Sequence, residues 1–179
     1  MKSENISKNE NDSAKIKILD FGGEYIDEVL EIQTECDLSI WSKNDYLDEI
    51  EKAGSILKIA QTAEQKTIGF ALVRLLIDPN AQNAESRTDL PTEFDSSEIL
   101  NIAVRQAFQH RGIGQMIFDE IVGELESKNI PEIWLEVRES NANALNFYRK
   151  NNFKIQFERK NYYTNPTENA YVLRRLINR

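Results

Sequence analysis

The sequence predicts an α/β (α+β) fold in which helices cover a mixed central sheet. Three observations predict it: short runs rich in Ile, Val and Leu recur along the chain, amphipathic helical patterns lie between them, and from Glu98 onward the two kinds of segment interleave. A chain of 179 residues with 40% hydrophobic residues is long enough for one domain with a substantial core, assigned here to residues 15–179.

The elements follow in order. Met1 to Ala14 is rich in Asn, Ser, Lys and Glu without periodic apolar residues and reads as a disordered tail. Ile16 to Leu19 reads as a short strand, and Tyr25 to Ile32 sets Ile26, Val29, Leu30 and Ile32 near helical spacing. Ser42 followed by Asp45 opens a second helix with a near capping box, Asp replacing the usual Glu. Ser55 to Ala60 and Thr67 to Ile77 read as paired strands around the polar turn Glu64-Gln65-Lys66. Asp78 to Ser97, with two prolines, five acids and one base, reads as a long acidic loop, either a lid or a disordered insertion.

Ile99 to Val104 is a compact apolar strand, and Arg111 to Lys128 is a helix with Ile113, Ile117, Ile121 and Leu125 at four-residue steps. Pro131 to Arg138 reads as a strand and Asn143 to Lys150 as a short helix. Phe153 to Arg159 and Ala170 to Ile177 read as the last strands, with Asn161 to Asn169 connecting them.

Composition removes several classes of function. The net charge of −8 argues against binding a nucleic-acid backbone over the whole surface. One cysteine, Cys36, and one histidine, His110, rule out an intramolecular disulfide framework and a thiolate–imidazole metal cage, so no metal is expected. No segment has the apolar length of a signal peptide core or a membrane span, which favours a cytoplasmic setting without membrane partners. Residues 1–97 carry 20 acids and 10 bases, whereas residues 98–179 carry 10 acids and 12 bases, so the second half is the better host for an anionic ligand.

Between the strand ending at Val104 and the following helix lies Gln109-His110-Arg111-Gly112-Ile113-Gly114. A helix start exposes unpaired N–H groups and a partial positive charge, and glycines let a phosphate approach them. Arg111 could add a charge-assisted contact. The alternative is that Gly112 and Gly114 only tighten a turn.

Asn101-Ile102-Ala103-Val104, the Gln109 to Gly114 turn, Trp134-Leu135-Glu136-Val137-Arg138-Glu139-Ser140-Asn141, Asn143-Ala144, Phe147-Tyr148, Asn152-Phe153 and Arg159-Lys160-Asn161-Tyr162-Tyr163 occur in one order. In that order they resemble the GNAT acetyltransferases over nearly all of residues 98–176, and more weakly back through Ser39 to Ser42. The resemblance implies the GNAT fold, with a mostly antiparallel sheet of about six or seven strands and helices on both faces. It also implies a splay between the strands at 99–104 and 131–138. By the same resemblance the pyrophosphate of acetyl-CoA rests on the turn from Gln109 through His110, Arg111, Gly112, Ile113 and Gly114 to Gln115. The pantetheine arm lies beside Ile102, Ala103, Val104 and Asn141.

Acetylating an amine requires a proton acceptor, because an N-terminal amine with a pKa of about 8 is mostly protonated at pH 7. Strand alternation places Trp134, Glu136 and Arg138 on one face, and a mid-strand carboxylate there could be that base or could only pair with a nearby cation. The resemblance assigns Glu136 as the base and Tyr148 as the acid that meets the departing thiolate, although Tyr148 between apolar neighbours also fits core packing. Asn141 additionally suits a helix cap. Tyr162 and Tyr163, with Trp41 opposite them, are expected either to wall the substrate or to pack in the core. The expected acceptor is the N-terminal α-amine of a protein, an alanine-starting ribosomal protein. The alternatives are a small-molecule amine or lysine side chain, or a non-catalytic acyl-CoA-binding module. The long acidic loop departs from the family pattern.

Overall fold

The computed structural model describes residues 16–38, 41–77 and 94–177. The expected tail at 1–14 and most of the expected acidic loop fall outside them. Among the described residues there are seven strands and four α-helices: β1 Lys17–Asp20, α1 Ile26–Glu35, α2 Lys43–Ile50, β2 Ser55–Gln61, β3 Thr67–Leu76, β4 Ser96–Val104, α3 Ile113–Ser127, β5 Glu132–Arg138, α4 Ala142–Lys150, β6 Lys154–Thr164 and β7 Thr167–Leu176. The strands form one open sheet in the order β1-β2-β3-β4-β5-β7-β6.

Backbone contacts gather the chain into two units, one running to Leu72 and including Asn101–Ile121, the other comprising Val73–Leu100 and the chain from Val122. Strands β3 and β4 and helix α3 each contribute to both.

In the first unit, local sequence explains the helix starts. The Ser42 hydroxyl accepts from the Asp45 N–H at 3.2 Å, and Asp45 accepts from the Ser42 N–H at 2.7 Å, so the capping box forms with Asp in place of Glu. The hairpin between β2 and β3 turns at Gln65, whose φ is +63°, closed by the Thr62 N–H donating to the Lys66 carbonyl at 3.0 Å. Both strands are buried along most of their length, and Ile26, Val29, Ile32, Tyr46, Ile59, Ile68, Phe70, Ile113, Ile117 and Ile121 are fully or almost fully enclosed. Gly69 on β3 is required by close approach: a Cβ there would lie 2.8 Å from the Ala103 carbonyl oxygen and 3.1 Å from Ile117 Cδ1.

In the second unit, β4 runs parallel to β5 through the pairs Ser97–Ile133, Glu98–Trp134 and Ile99–Leu135. The ladder consists of these three pairs although β4 extends to Val104 and β5 to Arg138, in keeping with strands expected to part beyond residue 99. β5 pairs antiparallel with β7 along its whole length, and β7 with β6.

Two expectations are corrected. Ser96 and Ser97 belong to β4 and not to a loop, because Ser97 is buried and its hydroxyl donates to the Glu132 carbonyl at 2.9 Å. Residues 161–164 and 167–169 are strand, so the connection between β6 and β7 shrinks to Asn165-Pro166, joined by a cis peptide bond. The sequence conceals this extension because β6 is a sheet edge with nearly every residue exposed, which removes the apolar alternation that marks a strand. A register shift between Arg159 and Tyr163, with Asn161 at φ +52°, adds a bulge.

Gly69→Ala should destabilise the protein by about 1–3 kcal/mol, because the clash is with backbone and not with the end of a flexible side chain. Denaturant unfolding of the two proteins measures this, and an unchanged midpoint would contradict it.

Candidate active site

The first unit holds the glycine turn. A short 3-10 turn at Gln106–Phe108 separates β4 from the turn. His110 at φ +60° and Gly112 at φ +81° then reverse the chain, and α3 begins at Ile113. The Gly112 carbonyl accepts the first helical bond, from the Met116 N–H at 3.0 Å, so the N–H groups of the first turn have no partner within the helix. A Cβ built at Gly112 meets nothing within 4 Å. The mouth of the helix is therefore open and positively polarised, a fit for the phosphates of a nucleotide-like group.

Most polar side chains of the turn brace it. Gln109 Nε2 donates to the Val104 carbonyl at 2.9 Å, tying the turn back to the end of β4. An Arg111 guanidinium N–H donates to the Ala107 carbonyl at 3.0 Å, and the group lies 5.4 Å from the Phe108 ring centre. Gln115 Nε2 donates to Asp119 at 2.7 Å on the exposed side of α3. His110 is exposed, and its backbone takes the left-handed conformation of the turn. Ile113 is buried and holds the first turn of α3 on the core, with Gly114 half-buried behind it. On β4, Ala103 is buried while Ile102 and Val104 are half-exposed on the opposite face.

A clamp not foreseen from the sequence fixes the base of this turn. Arg105 donates from Nε to the Thr67 carbonyl at 3.0 Å and pairs with Glu35 at 3.2 Å and Glu31 at 2.7 Å. The adjacent Gln106 N–H donates to Glu35 at 2.6 Å. Two glutamates one helical turn apart on α1 thus hold one arginine, a spacing visible in the sequence whose target is not. Cys36 lies beside this region with its sulfur 3.4 Å from the Val104 carbonyl oxygen, and burial pushes its thiol pKa up, the reverse of what a nucleophile needs.

Trp41 is held by its backbone. The buried Gln33 amide accepts from the Trp41 N–H and donates to the Trp41 carbonyl, both at 3.1 Å, and also accepts from the Tyr46 hydroxyl at 3.0 Å. The half-buried indole packs on the Tyr46 ring with centroids 5.4 Å apart.

The second unit holds a cluster of charged and phenolic groups. Glu136 sits in the middle of β5 on the half-exposed face, as the alternation predicts, with 16% of its side chain exposed. Arg159 of β6 pairs with it at 3.0 Å, and the Tyr162 hydroxyl donates to it. That hydrogen bond is the largest of several effects that push the Tyr162 phenol up to about 12. Tyr162 and Tyr163 meet edge to face at 5.2 Å; the Arg159 guanidinium lies 5.4 Å from the Tyr162 ring centre, and the Arg138 guanidinium 4.0 Å from that of Tyr163. Arg138 in turn pairs with Glu168 at 3.2 Å. The bulge at Asn161 lets two successive tyrosines serve the same cluster, which a regular strand would send to opposite faces.

Tyr148 is buried in α4, packed edge on against Phe147 at 5.4 Å and Phe153 at 5.3 Å. Burial, with Tyr163 nearby, raises its pKa well above the ordinary phenol value, so it is a far better hydrogen-bond donor than proton source. Asn141 caps the same helix, its side-chain oxygen accepting from the Ala144 N–H at 3.0 Å. Glu98 of β4, which the sequence did not mark, also belongs to this cluster. Burial and the charge of Glu136 raise its carboxyl pKa, against the opposing effects of Arg74 and Arg159. Among the described residues no group of three or more His, Cys, Asp or Glu side chains is arranged to hold a metal ion, and no helix is long and apolar enough to cross a membrane.

Comparison with known proteins bears on the family and the fold. Two curated relatives are both [ribosomal protein bS18]-alanine N-acetyltransferases. The one from Salmonella typhimurium is 31% identical over 64% of this chain and 65% of its own length, just under two thirds. The one from Haemophilus ducreyi is 28% identical over 81% of this chain and 89% of its own length. Among solved structures, the ribosomal-protein alanine N-acetyltransferase of Escherichia coli shares the fold with a TM-score of 0.75 at 22% identity, covering 92% of this chain and 95% of that one. Arabidopsis thaliana NAA60 in complex with acetyl-CoA shares it with a TM-score of 0.77 at 14% identity, covering 92% and 99%. The Acetyltransferase (GNAT) family model matches residues 26–153, and the chain, with its glycine turn at the head of α3 and its open seven-stranded mixed sheet, belongs to that family.

Proposed function

We propose that this protein transfers the acetyl group of acetyl-CoA to the N-terminal α-amine of a protein, with an alanine-starting ribosomal protein as acceptor and the cytoplasm as the setting. The observation that carries the reading is the cluster in which Glu136 receives both the Arg159 guanidinium and the Tyr162 hydroxyl. It offers a proton acceptor flanked by aromatic rings, which suits an amine on a peptide. The alanine preference and the ribosomal acceptor rest on the curated relatives.

The open helix start at Gly112 to Gln115 suits the pyrophosphate of acetyl-CoA, with Gln109 and Arg111 keeping the turn in shape and His110 contributing its backbone. Ile102, Ala103 and Val104 on β4, and Asn141 at the head of α4, are the residues assigned to the pantetheine arm. The bound thioester supplies an activated acetyl carbonyl. A β4 backbone N–H is suited to polarise it as an oxyanion-type donor.

The acceptor nitrogen gives its lone pair to the carbonyl carbon, the carbon–sulfur bond breaks, and that electron pair leaves on sulfur as the thiolate. Glu136 accepts the proton the nitrogen sheds as the amide forms. Tyr148 serves the departing sulfur by donating a hydrogen bond, since its raised pKa opposes full proton transfer. Tyr162, Tyr163 and Trp41 are the aromatic groups proposed to hold the acceptor peptide.

Thiol release from acetyl-CoA with alanine-, serine- and methionine-starting peptides and with small amines tests the reading. Turnover with alanine-starting peptides above the rest is expected; turnover of small amines alone would replace the reading with a small-molecule acetyltransferase. Glu136→Gln should bind acetyl-CoA normally while kcat falls by roughly 10²-fold or more, as expected when a positioned base is removed. An undiminished kcat would take Glu136 out of the mechanism. Gly112→Val should weaken acetyl-CoA binding by roughly 10-fold or more, because a β-branched residue at φ +81° costs about 1–3 kcal/mol and crowds the helix mouth. Titration calorimetry with coenzyme A measures it.

A further inference from the structure

The aromatic groups around Glu136 depend on an interruption in the last hairpin. Between the pairs Arg159–Ala170 and Tyr163–Glu168, β6 holds Lys160, Asn161 and Tyr162 while β7 holds only Asn169. Plain strand alternation carries Arg159 and Tyr163 to the face of Glu136, because their partners Ala170 and Glu168 share the parity of Val172, which sits opposite Glu136. Tyr162 has the other parity. It reaches the Glu136 carboxylate because Asn161, at φ +52°, takes the chain out of the regular strand. Tyr163 is steadied separately, by the Arg138 guanidinium 4.0 Å from its ring centre.

The side chain of Asn169 holds Asn161 in that conformation. Its carboxamide oxygen accepts from the Asn161 N–H at 2.9 Å, standing in for a carbonyl of the interrupted ladder. Its amide nitrogen donates to Glu139, just past the end of β5, at 3.2 Å and to Glu158 of β6. The Asn169 backbone carbonyl accepts from the Glu139 N–H at 3.2 Å, which anchors the residue from which this side chain reaches out. An acceptor and two donors on one short side chain are what an amide supplies and a carboxylate or an alkyl group does not. Parity sets Asn169 with Glu158 on the face away from Glu136, so it works from behind the sheet.

We infer that Asn169 is a positioning residue for the acceptor peptide: by fixing the bulge at Asn161 it holds Tyr162 on the face of Glu136 and so sets how tightly the peptide is bound. This rests on the N-terminal acetyltransferase reading, in which Tyr162 holds the acceptor.

The test is steady-state acetylation of an alanine-starting peptide by the wild type, Asn169→Leu, Asn169→Asp, Tyr162→Ala and the double variant Asn169→Leu/Tyr162→Ala. Asn169→Leu should raise the peptide KM by roughly 5- to 10-fold while kcat stays within about 2-fold, the pattern of lost binding without lost chemistry. Asn169→Asp keeps the oxygen that faces the Asn161 N–H and should recover part of the loss. In the Tyr162→Ala background, Asn169→Leu should change KM by less than about 2-fold, because the ring it positions is gone. Coenzyme A should bind every variant as it binds the wild type. If Asn169→Leu fails to fold, Asn169→Ser with and without Tyr162→Ala carries the same comparison. An unchanged KM, or a rise of equal size with and without the Tyr162 ring, would overturn the inference and leave the acetyltransferase reading in place. A wild-type protein that acetylates no amine would remove the reading, and the inference with it.

Discussion

A turn with no side chain over its mouth has to be held rigid by its neighbours, and that constraint governs the first unit. Gly112 keeps the mouth clear: its φ of +81° excludes ordinary side chains at little cost, and the space above it is open. Rigidity has to come from elsewhere, and it comes from the arginine and the glutamine on either side. Arg105 is gripped by two glutamates of α1 and by the Thr67 carbonyl, and Gln109 is tied to the end of β4. The polar side chains around the turn thus spend their hydrogen bonds on the protein, and the N–H groups at the head of α3 have no partner within the helix.

The second unit follows a different logic. Its carboxylates, arginines and tyrosines are partly buried and interlocked, so each depends on its neighbours for charge compensation. Arg159 faces both Glu136 and Tyr162, and it also moderates Glu98, which makes it the electrostatic centre of the group. Burial and the charge of Glu136 raise the carboxyl pKa of Glu98, and Arg74 and Arg159 oppose them. The same reasoning separates Tyr148 from Tyr162. Tyr148 is enclosed by Phe147 and Phe153, while Tyr162 reaches a carboxylate from an exposed edge.

Several features were legible in the chain before folding. The strand-to-helix turn at Gln109 to Gly114, the caps at Ser42 and Asn141, and the alternation that places Glu136 opposite Leu135 and Val137 are each written within a few neighbouring residues. The strand at Lys154 to Thr164 was legible only in its first half. Its outer residues face water on both sides, and hydrophobic periodicity can mark only what one face buries.

The sequence by itself determined the family, the order of elements, the glycine turn before α3 and the face on which Glu136 lies, because these depend on backbone conformation and a period of two or 3.6 residues. Tertiary structure alone decided which charges meet. The register of β4 against β5 sets Glu98 beside Trp134, the bulge at Asn161 brings Tyr162 to Glu136, and the helix α1 supplies the acids for Arg105. Those pairings join residues tens of positions apart. They are fixed by long-range hydrogen bonding and the exclusion of water, neither of which leaves a mark in the local pattern of the chain.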